Sequence, residues 1–342
     1  MTKLRRRVAR GLFVLASVLA TSAFGDNQAV FEANRTQFLE RMVADHGFDR
    51  EELAAVLATA TLNEKVLEAI SRPAERVVPW FEYRKIFLNE QRIDAGVAFW
   101  RERASAIESA AERYEVAPEI IVAIVGVETF FGRRMGNYRV LDSLATLAFA
   151  YPPRARFFAG ELEQLLLLAR EEGPHVLEAR SSYAGAMGAG QFIPSSFRAY
   201  AVDGNGDGRR DLWTDWDDAL ASVANYFRAH GWKPGEPVAD RATRPADWSG
   251  PEPEGNGLEL DSTVGDLVAL GYAFDSSLPP TAPATLFALE GEGDTREYWV
   301  GYHNYQVITR YNRSAKYALA THQLAQAIRA AYEAEQQGAV AQ

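Results

Sequence analysis

Apolar residues recur at helical spacing over two long stretches of the chain. Between residues 29 and 70, Phe31, Phe38, Leu39 and Met42 form one set, and Leu53, Val56, Leu57 and Ala60 another, which predicts two or more helices. Residues 94–230 carry the same period, interrupted by Gly and Pro. Within them Ala95 to Tyr114 is amphipathic, and Phe157 to Arg170 carries four consecutive leucines, Leu165 to Leu168, which predicts a deeply buried helix. The pattern changes after Trp232. Pro234, Pro237, Pro245, Pro251 and Pro253 punctuate residues 233–257, and short β-like pieces follow at Thr285 to Leu289 and Tyr298 to Val300. Helical spacing returns from about Ser314 to Glu335. No repeat and no low-complexity run is present.

The first 25 residues read separately. Lys3, Arg5, Arg6, Arg7 and Arg10 precede a run from Gly11 to Ala20 that is too short to span a bilayer, and Ala23-Phe24-Gly25 offers small residues for cleavage before Asp26. This is the pattern of an export signal, and it predicts a periplasmic protein. With no cysteine among the 342 residues, neither a lipidated cysteine anchor nor a disulfide is available. Removal of the signal takes away five basic residues and no acid, moving the formal charge from −10 to −15. Nucleic-acid binding relies on basic patches, so it is disfavoured. The chain has 7 Trp, 14 Tyr and 18 Phe, many beside Gly, Asn or Arg, as sugar-binding surfaces require, although a large core would also use them.

Three segments carry candidate chemistry. Pro118 to Gly132 starts with a proline suited to a first helical turn and is apolar on every face, with Glu128 the only charge between Glu119 and Arg133. A carboxyl near the C-terminal end of a buried helix is pushed toward its protonated form by desolvation and by the helix dipole, which suits a general acid. The segment alone equally describes a glutamate emerging at a helix end. Ser182 to Ser196 holds Gly185, Gly188 and Gly190, which let backbone approach a ligand, flanked by the neutral hydrogen-bonding groups of Ser182 and Gln191. It lacks the Gly-Lys-Ser/Thr of a phosphate loop, and a tight packing turn would look the same. Asp203, Asn205, Asp207 and Gly208 match positions 1, 3, 5 and 6 of an EF-hand loop, with the Arg209 carbonyl as a further ligand. Thr214 stands at the twelfth position where Glu is usual, so Asp217 is the candidate to close a longer loop around one structural calcium ion. The five histidines (46, 175, 230, 303 and 322) show no zinc spacing, and no Gly-x-Ser-x-Gly elbow occurs.

Taken in order, these segments resemble the lytic murein transglycosylase B family of the lysozyme superfamily. The matching pieces are Pro79 to Phe87, the end of the Glu128 helix, Leu141 to Leu147, Ser182 to Ser196, the Asp203 loop, Val223 to Phe227, Tyr298 to Tyr302 and Ile308 to Ser314, and the resemblance extends over nearly all of the chain beyond the signal. The resemblance implies an α+β, mainly α-helical fold. Its parts would be a helical domain over 26–93, a lysozyme-like core over 94–232 with the calcium loop at 203–217, a small β-rich domain over 233–297, and a return to the core over 298–342. It implies that Glu128 is the sole catalytic acid/base, that Ser182 and Gln191 line the cleft, and that Tyr83, Tyr226, Tyr311, Asn312 and Tyr317 contact sugar.

The implied reaction cleaves the β-1,4 bond between N-acetylmuramic acid and N-acetylglucosamine and closes a 1,6-anhydro ring, with no cofactor for catalysis and no water consumed. Peptidoglycan strands are the implied partner; the sequence identifies none of the cell-wall synthesis or division proteins that would act with it. Two other readings remain. A hydrolytic muramidase needs a second carboxylate, for which Asp142 is the nearest acid, although Asp142-Ser-Leu also reads as a helix cap. A non-catalytic glycan-binding protein would keep the tyrosines without needing Glu128. Should Glu128 not be the acid, Glu161 and Glu163 are the next to consider.

Overall fold

The computed structural model describes residues 12–72, 78–250, 252–253 and 255–340. The basic start of the predicted export signal lies outside them, and Leu12–Gly25 are the first turns of α1 (Leu12–His46). About 58% of the chain is helical with small sheets, so the mainly helical α+β expectation holds. Among the described residues no helix is long and apolar enough to cross a membrane. The chain divides into two compact units.

The first unit takes the described residues up to Arg72 together with Gly136–Ala186 and Ile193–Ser195. It contains α1, α2 (Arg50–Ala58) and α3 (Glu64–Ser71), followed after the break by β1 (Tyr138–Arg139), a further helix at Val140–Ala150, a long one at Ala155–Glu172 and β2 (Arg180–Ser181), which pairs with β1. Caps mark the short helices: Asp49 accepts from the N–H groups of Glu51 and Glu52, and Asn63 from that of Lys65. Phe149 is the aromatic centre, with Phe31 and Phe38 edge-on at 5.2 and 5.5 Å. The four-leucine helix is one-sided rather than wholly buried: Leu165, Leu166 and Leu168 are buried, while Leu167 is half-buried beside Glu163 and Gln164.

The second unit holds the described part of Pro73–Met135, Met187–Phe192 and Ser196 onward. Its helices are α4 (Trp80–Phe87), α5 (Glu90–Glu102), α6 (Ala104–Tyr114), α7 (Pro118–Thr129), then α8 (Trp216–Ala229), α9 (Val264–Ala269), α10 (His303–Tyr311) and α11 (Ala315–Val340), counting within this unit from α4. The amphipathic stretch from Ala95 to Tyr114 is broken at Arg103, whose backbone (φ −116°, ψ 20°) leaves the helical region without any Gly or Pro to announce it. Ile120 to Val125 are fully buried, and α11, α5, α6 and α8 pack around α7. The β-like pieces predicted at 285–289 and 298–300 are strands β5 (Pro283–Glu290) and β6 (Arg296–Gly301) of an antiparallel sheet in the order β3-β6-β5-β4, completed by β3 (Ala239–Ala242) and β4 (Ser262–Thr263). Phe287 pairs with Trp299 across β5 and β6, and its ring stacks on Tyr305 of α10 at 5.1 Å, which joins sheet to helices.

Two glycines of the first unit should respond oppositely to alanine. Gly136 has φ +95°, and a Cβ there would lie 2.0 Å from the Ser181 carbonyl oxygen, so Gly136→Ala should lower the melting temperature. Gly160 lies within the Ala155–Glu172 helix, where an added methyl would meet nothing within 4 Å, so Gly160→Ala should stabilise by roughly 0.5–1 kcal/mol. Thermal melts of the two variants check this; a shift of the same sign in both would contradict the local geometry.

Candidate active site

The end of α7 turns by an unusual backbone path. Phe130, Phe131 and Gly132 all have positive φ (51°, 59° and 79°), a strained run for two bulky residues. Several bonds hold it. The Phe131 N–H donates to the Val125 carbonyl, the Gly132 N–H to the Thr129 hydroxyl, and that hydroxyl donates to the carbonyls of Ala189 and Val125. Buried Arg92 donates to the Gly126 carbonyl. Helix end, loop and α5 are thus tied together immediately around Glu128.

Glu128 is half-buried beyond the fully buried Ile120–Gly126 run. Burial pushes its carboxyl from the usual 4.5 up to about 7, against the opposing effect of the Tyr317 hydroxyl, which donates to it. Tyr83 and Tyr311 sit close enough for the Glu128 charge to raise their own pKa values, on top of the larger effect of burial. Tyr317 is raised for the same reasons. A carboxyl poised near 7 can both give and take a proton at neutral pH.

The other tyrosine of interest, Tyr226, is tightly packed. Its ring stacks on His230 at 4.0 Å and meets Tyr311 edge-on at 4.7 Å. The hydroxyls of Tyr226 and Tyr311 donate to the carbonyls of Arg310 and Gly190, at 2.7 and 2.6 Å, so their protons are committed and only their oxygens remain to accept. Asn312 ends α10 and is exposed, with no side-chain hydrogen bond among the described residues. Gln191 has φ +53° in a hairpin closed by Met187 and Phe192, and its amide donates to the Gly188 and Met135 carbonyls.

Ser182 belongs to the other unit, because the glycine-rich segment is divided after Ala186. Its hydroxyl oxygen accepts from the N–H groups of Ala184 and Ala186, which leaves its own proton free to donate. The alternative acids are in structural use. Asp142 accepts from the Thr61 N–H and pairs with Arg139. Glu161 accepts from the Ser195 N–H and hydroxyl, and Glu163 pairs with His46 and Arg41.

The acidic loop is wound around Asp203, whose carboxylate accepts from the N–H groups of Gly206, Asp207 and Gly208, and these bonds hold it below the usual carboxylate range. Asn205 accepts from the Asp207 N–H and donates to Asp215, while Asp207 accepts from the Arg209 N–H. Asp217 is exposed in the first turn of α8; its carbonyl packs on Gly204, and it lines a shallow recess with Glu102 and Arg103. Among the described residues no group of three or more His, Cys, Asp or Glu side chains is gathered as a metal cluster. The loop's oxygen set, which adds an amide and a main-chain carbonyl to its carboxylates, suits a hard cation.

Three contributors were not singled out from sequence: Arg92, Thr129 and Asp218. Buried Asp218 accepts from the N–H groups of Gly204 and Asp211, both at 2.7 Å, and so pins the two ends of the acidic loop. Its phase on α8, one turn before Ser222, which accepts from the Val202 N–H, was the available signal.

A carboxylic acid raised to about 7 and neighboured by tyrosines, on a mainly helical frame, is the equipment of an acid/base enzyme. The chain belongs to the Transglycosylase SLT domain family, whose model matches residues 30–326. It is 44% identical over 304 residues to the membrane-bound lytic murein transglycosylase B of Escherichia coli K12, covering 86% of this chain and 82% of that one. The crystal structure of soluble lytic transglycosylase SltB1 from Pseudomonas aeruginosa is similar at 47% identity and a TM-score of 0.82, over 87% of this chain and 98% of that one. An Escherichia coli lytic transglycosylase solved in complex with calcium is similar at 44% identity and a TM-score of 0.78, over 87% and 93%.

The raised Glu128 pKa fixes a pH dependence of stability. Between 4.5 and about 7 the folded protein holds a proton that the unfolded chain has released, so this group's effect on stability worsens as pH rises through that window and is constant above it. The full effect is at most about 3 kcal/mol. Glu128→Gln should therefore melt above the wild type at pH 8, with the gap closing toward pH 4.5. A gap that is the same at both pH values would contradict a raised carboxyl pKa.

Proposed function

We propose that this chain is a lytic transglycosylase that cleaves the β-1,4 bond between N-acetylmuramic acid and N-acetylglucosamine in peptidoglycan and leaves 1,6-anhydromuramic ends. The observation that carries the reading is Glu128: a carboxyl raised to about 7 by burial, bonded to Tyr317, with the other candidate acids engaged elsewhere. Glu128 protonates the glycosidic oxygen as the bond to the muramyl anomeric carbon breaks. The substrate's acetamido group stabilises the positive charge that develops there. The resulting Glu128 carboxylate then takes the proton of the muramyl 6-hydroxyl, whose oxygen bonds to the anomeric carbon. The proton count closes without water and without a second protein carboxylate.

Ser182, Gln191, Tyr83, Tyr226, Tyr311, Asn312 and Tyr317 are assigned to the glycan strand. Tyr317 also keeps the Glu128 carboxyl oriented. The free hydroxyl proton of Ser182 and the exposed amide of Asn312 suit polar sugar substituents. The lysozyme-like core over 94–232 and its return over 298–342 carry all of these groups except Tyr83, which the helical part over 26–93 supplies; 233–297 is an accessory β-rich part. The reading includes export, with the signal predicted over the first 25 residues directing the activity to the periplasm. The name of the Escherichia coli relative supports the lytic transglycosylase reading, and the calcium complex of the solved structure supports a calcium site.

The acidic loop is proposed as a structural calcium site using Asp203, Asn205, Asp207, the Arg209 carbonyl and Asp217, with no part in the proton chemistry. Binding to the folded state alone raises stability with ligand concentration. Calcium should therefore raise the melting temperature of the wild type relative to chelator, and Asp207→Ala should remove most of that response. A wild-type melt indifferent to calcium would end the assignment.

For the chemistry, Glu128→Gln should fold normally and bind glycan while losing activity by about 10²–10⁴-fold or more, since one residue serves as acid and then as base. Mass spectrometry of wild-type products should show ends one water lighter than hydrolytic ones. Reducing ends alone would establish a muramidase instead, and an active Glu128→Gln protein would remove Glu128 from the mechanism.

A further inference from the structure

Just past Glu128, three guanidinium groups crowd one aromatic ring. Arg92, Arg133 and Arg134 lie 4.8, 5.2 and 5.3 Å from the centre of the Phe130 ring. The positive-φ turn through Phe130, Phe131 and Gly132 folds Arg133 and Arg134 back onto that ring, and the Arg134 N–H closes the turn on the Thr129 carbonyl. Other arginines of this unit meet acids: Arg84 and Arg241 pair with Glu297, Arg228 with Glu115, Arg244 with Glu252, and Arg329 with Glu119 and Glu333. Arg133 and Arg134 are exposed and have no carboxylate partner among the described residues. Arg92 is buried against Phe87 and Phe130, donates only to the Gly126 carbonyl, and leaves its Nε without a partner. Burial and the charge of Arg134 together lower its affinity for its proton.

Three like charges gathered without an acid are held at a cost that an incoming anion relieves. Guanidinium forks match a carboxylate in two parallel hydrogen bonds. In a chain of net charge −10, such a patch stands against the general field. It is also continuous with the tyrosine wall. Phe87, beneath Arg92 at 5.2 Å, meets Tyr83 at 5.4 Å, and Tyr83 feels the Glu128 charge.

We propose that Arg133 and Arg134, backed by Arg92, bind a free carboxylate of the peptide stem carried by the muramyl residue next to the bond that is cleaved. This rests on the peptidoglycan reading above. The stem hangs from the sugar at the reacting centre, so the carboxylates nearest that sugar come within reach of protein beside the catalytic groups. Arg133 and Arg134 occupy that position by sequence and by the turn that folds them back. The cluster makes the enzyme distinguish a strand with free stem carboxylates from one whose stems are amidated or removed.

Binding is measured in the Glu128→Gln protein, which holds glycan without turning it over. The ligands are a disaccharide–tetrapeptide with free carboxylates, the same compound with those groups amidated, and the peptide-free disaccharide. The free-carboxylate compound should bind about 10-fold tighter than its amide, a gap of the size a charge-assisted pair gives, and the gap should shrink as salt rises. Adding Arg133→Ala and Arg134→Ala should close it. Adding Arg133→Lys and Arg134→Lys should keep part of it, because charge remains while the planar fork is lost. A gap that survives the alanine pair overturns the arginine site alone, as does an equal weakening of the peptide-free disaccharide. If Glu128→Gln binds none of the three compounds, the peptidoglycan reading falls, and this proposal falls with it.

Discussion

A carboxyl near the C-terminal end of a helix built from Ile120 to Val125 gives up hydration that no cation replaces. Its one side-chain partner is a neutral phenol, Tyr317, which is too weak a donor to restore full acidity. The rest of the second unit follows from keeping that balance. Apolar packing of α11, α5 and α6 against α7 maintains the desolvation. The bonds from Arg92 and Thr129 fix the helix end that carries the carboxyl. A lysine or arginine in contact with Glu128 would return it to its ordinary range and remove its use as an acid at neutral pH. The nearby positive charges are instead directed at backbone carbonyl and aromatic ring.

How much of this is legible in the sequence depends on whether the signal is local. The wholly apolar Pro118–Thr129 segment with a single Glu announces both a buried helix and a perturbed acid, since both follow from one pattern. Strands β5 and β6 are visible as short β-rich runs between turn residues. The break at Arg103 is not visible, because no residue there forbids helix and the choice is made by packing. Asp218 is hidden for a related reason: three acids lie within Asp215–Asp218, and only helix phase decides which one turns inward. Asp142 reads as a cap but serves a different purpose, accepting from Thr61 and pairing with Arg139. The division of the glycine-rich segment after Ala186 has no sequence mark at all.

The two candidate centres are stabilised in contrasting ways. The acidic loop satisfies its carboxylates with its own backbone: three N–H groups point at Asp203, and Asp218 gathers two more. Asp203 is kept ionised by local geometry, while burial raises the Asp218 carboxyl, and both lie within a span of sixteen residues, from Asp203 to Asp218. Glu128 is kept neutral by groups drawn from across the unit. The first arrangement can form as soon as its own segment is made, while the second needs almost the whole chain.

That last difference bears on the order in which the molecule comes into being. Tyr317 lies 189 positions after Glu128, and Tyr311 lies 121 positions after Gly190, whose carbonyl it clamps. A chain synthesised or threaded from its N-terminus holds the α7 carboxyl long before either tyrosine exists. Contacts this distant close late in folding, after nearer ones have formed. Until α11 docks, Glu128 remains an ordinary hydrated acid on an incomplete surface. The same separation that slows assembly therefore acts as a safeguard: an enzyme that dissolves cell wall but is inert while unfinished is harmless to the machinery that makes it.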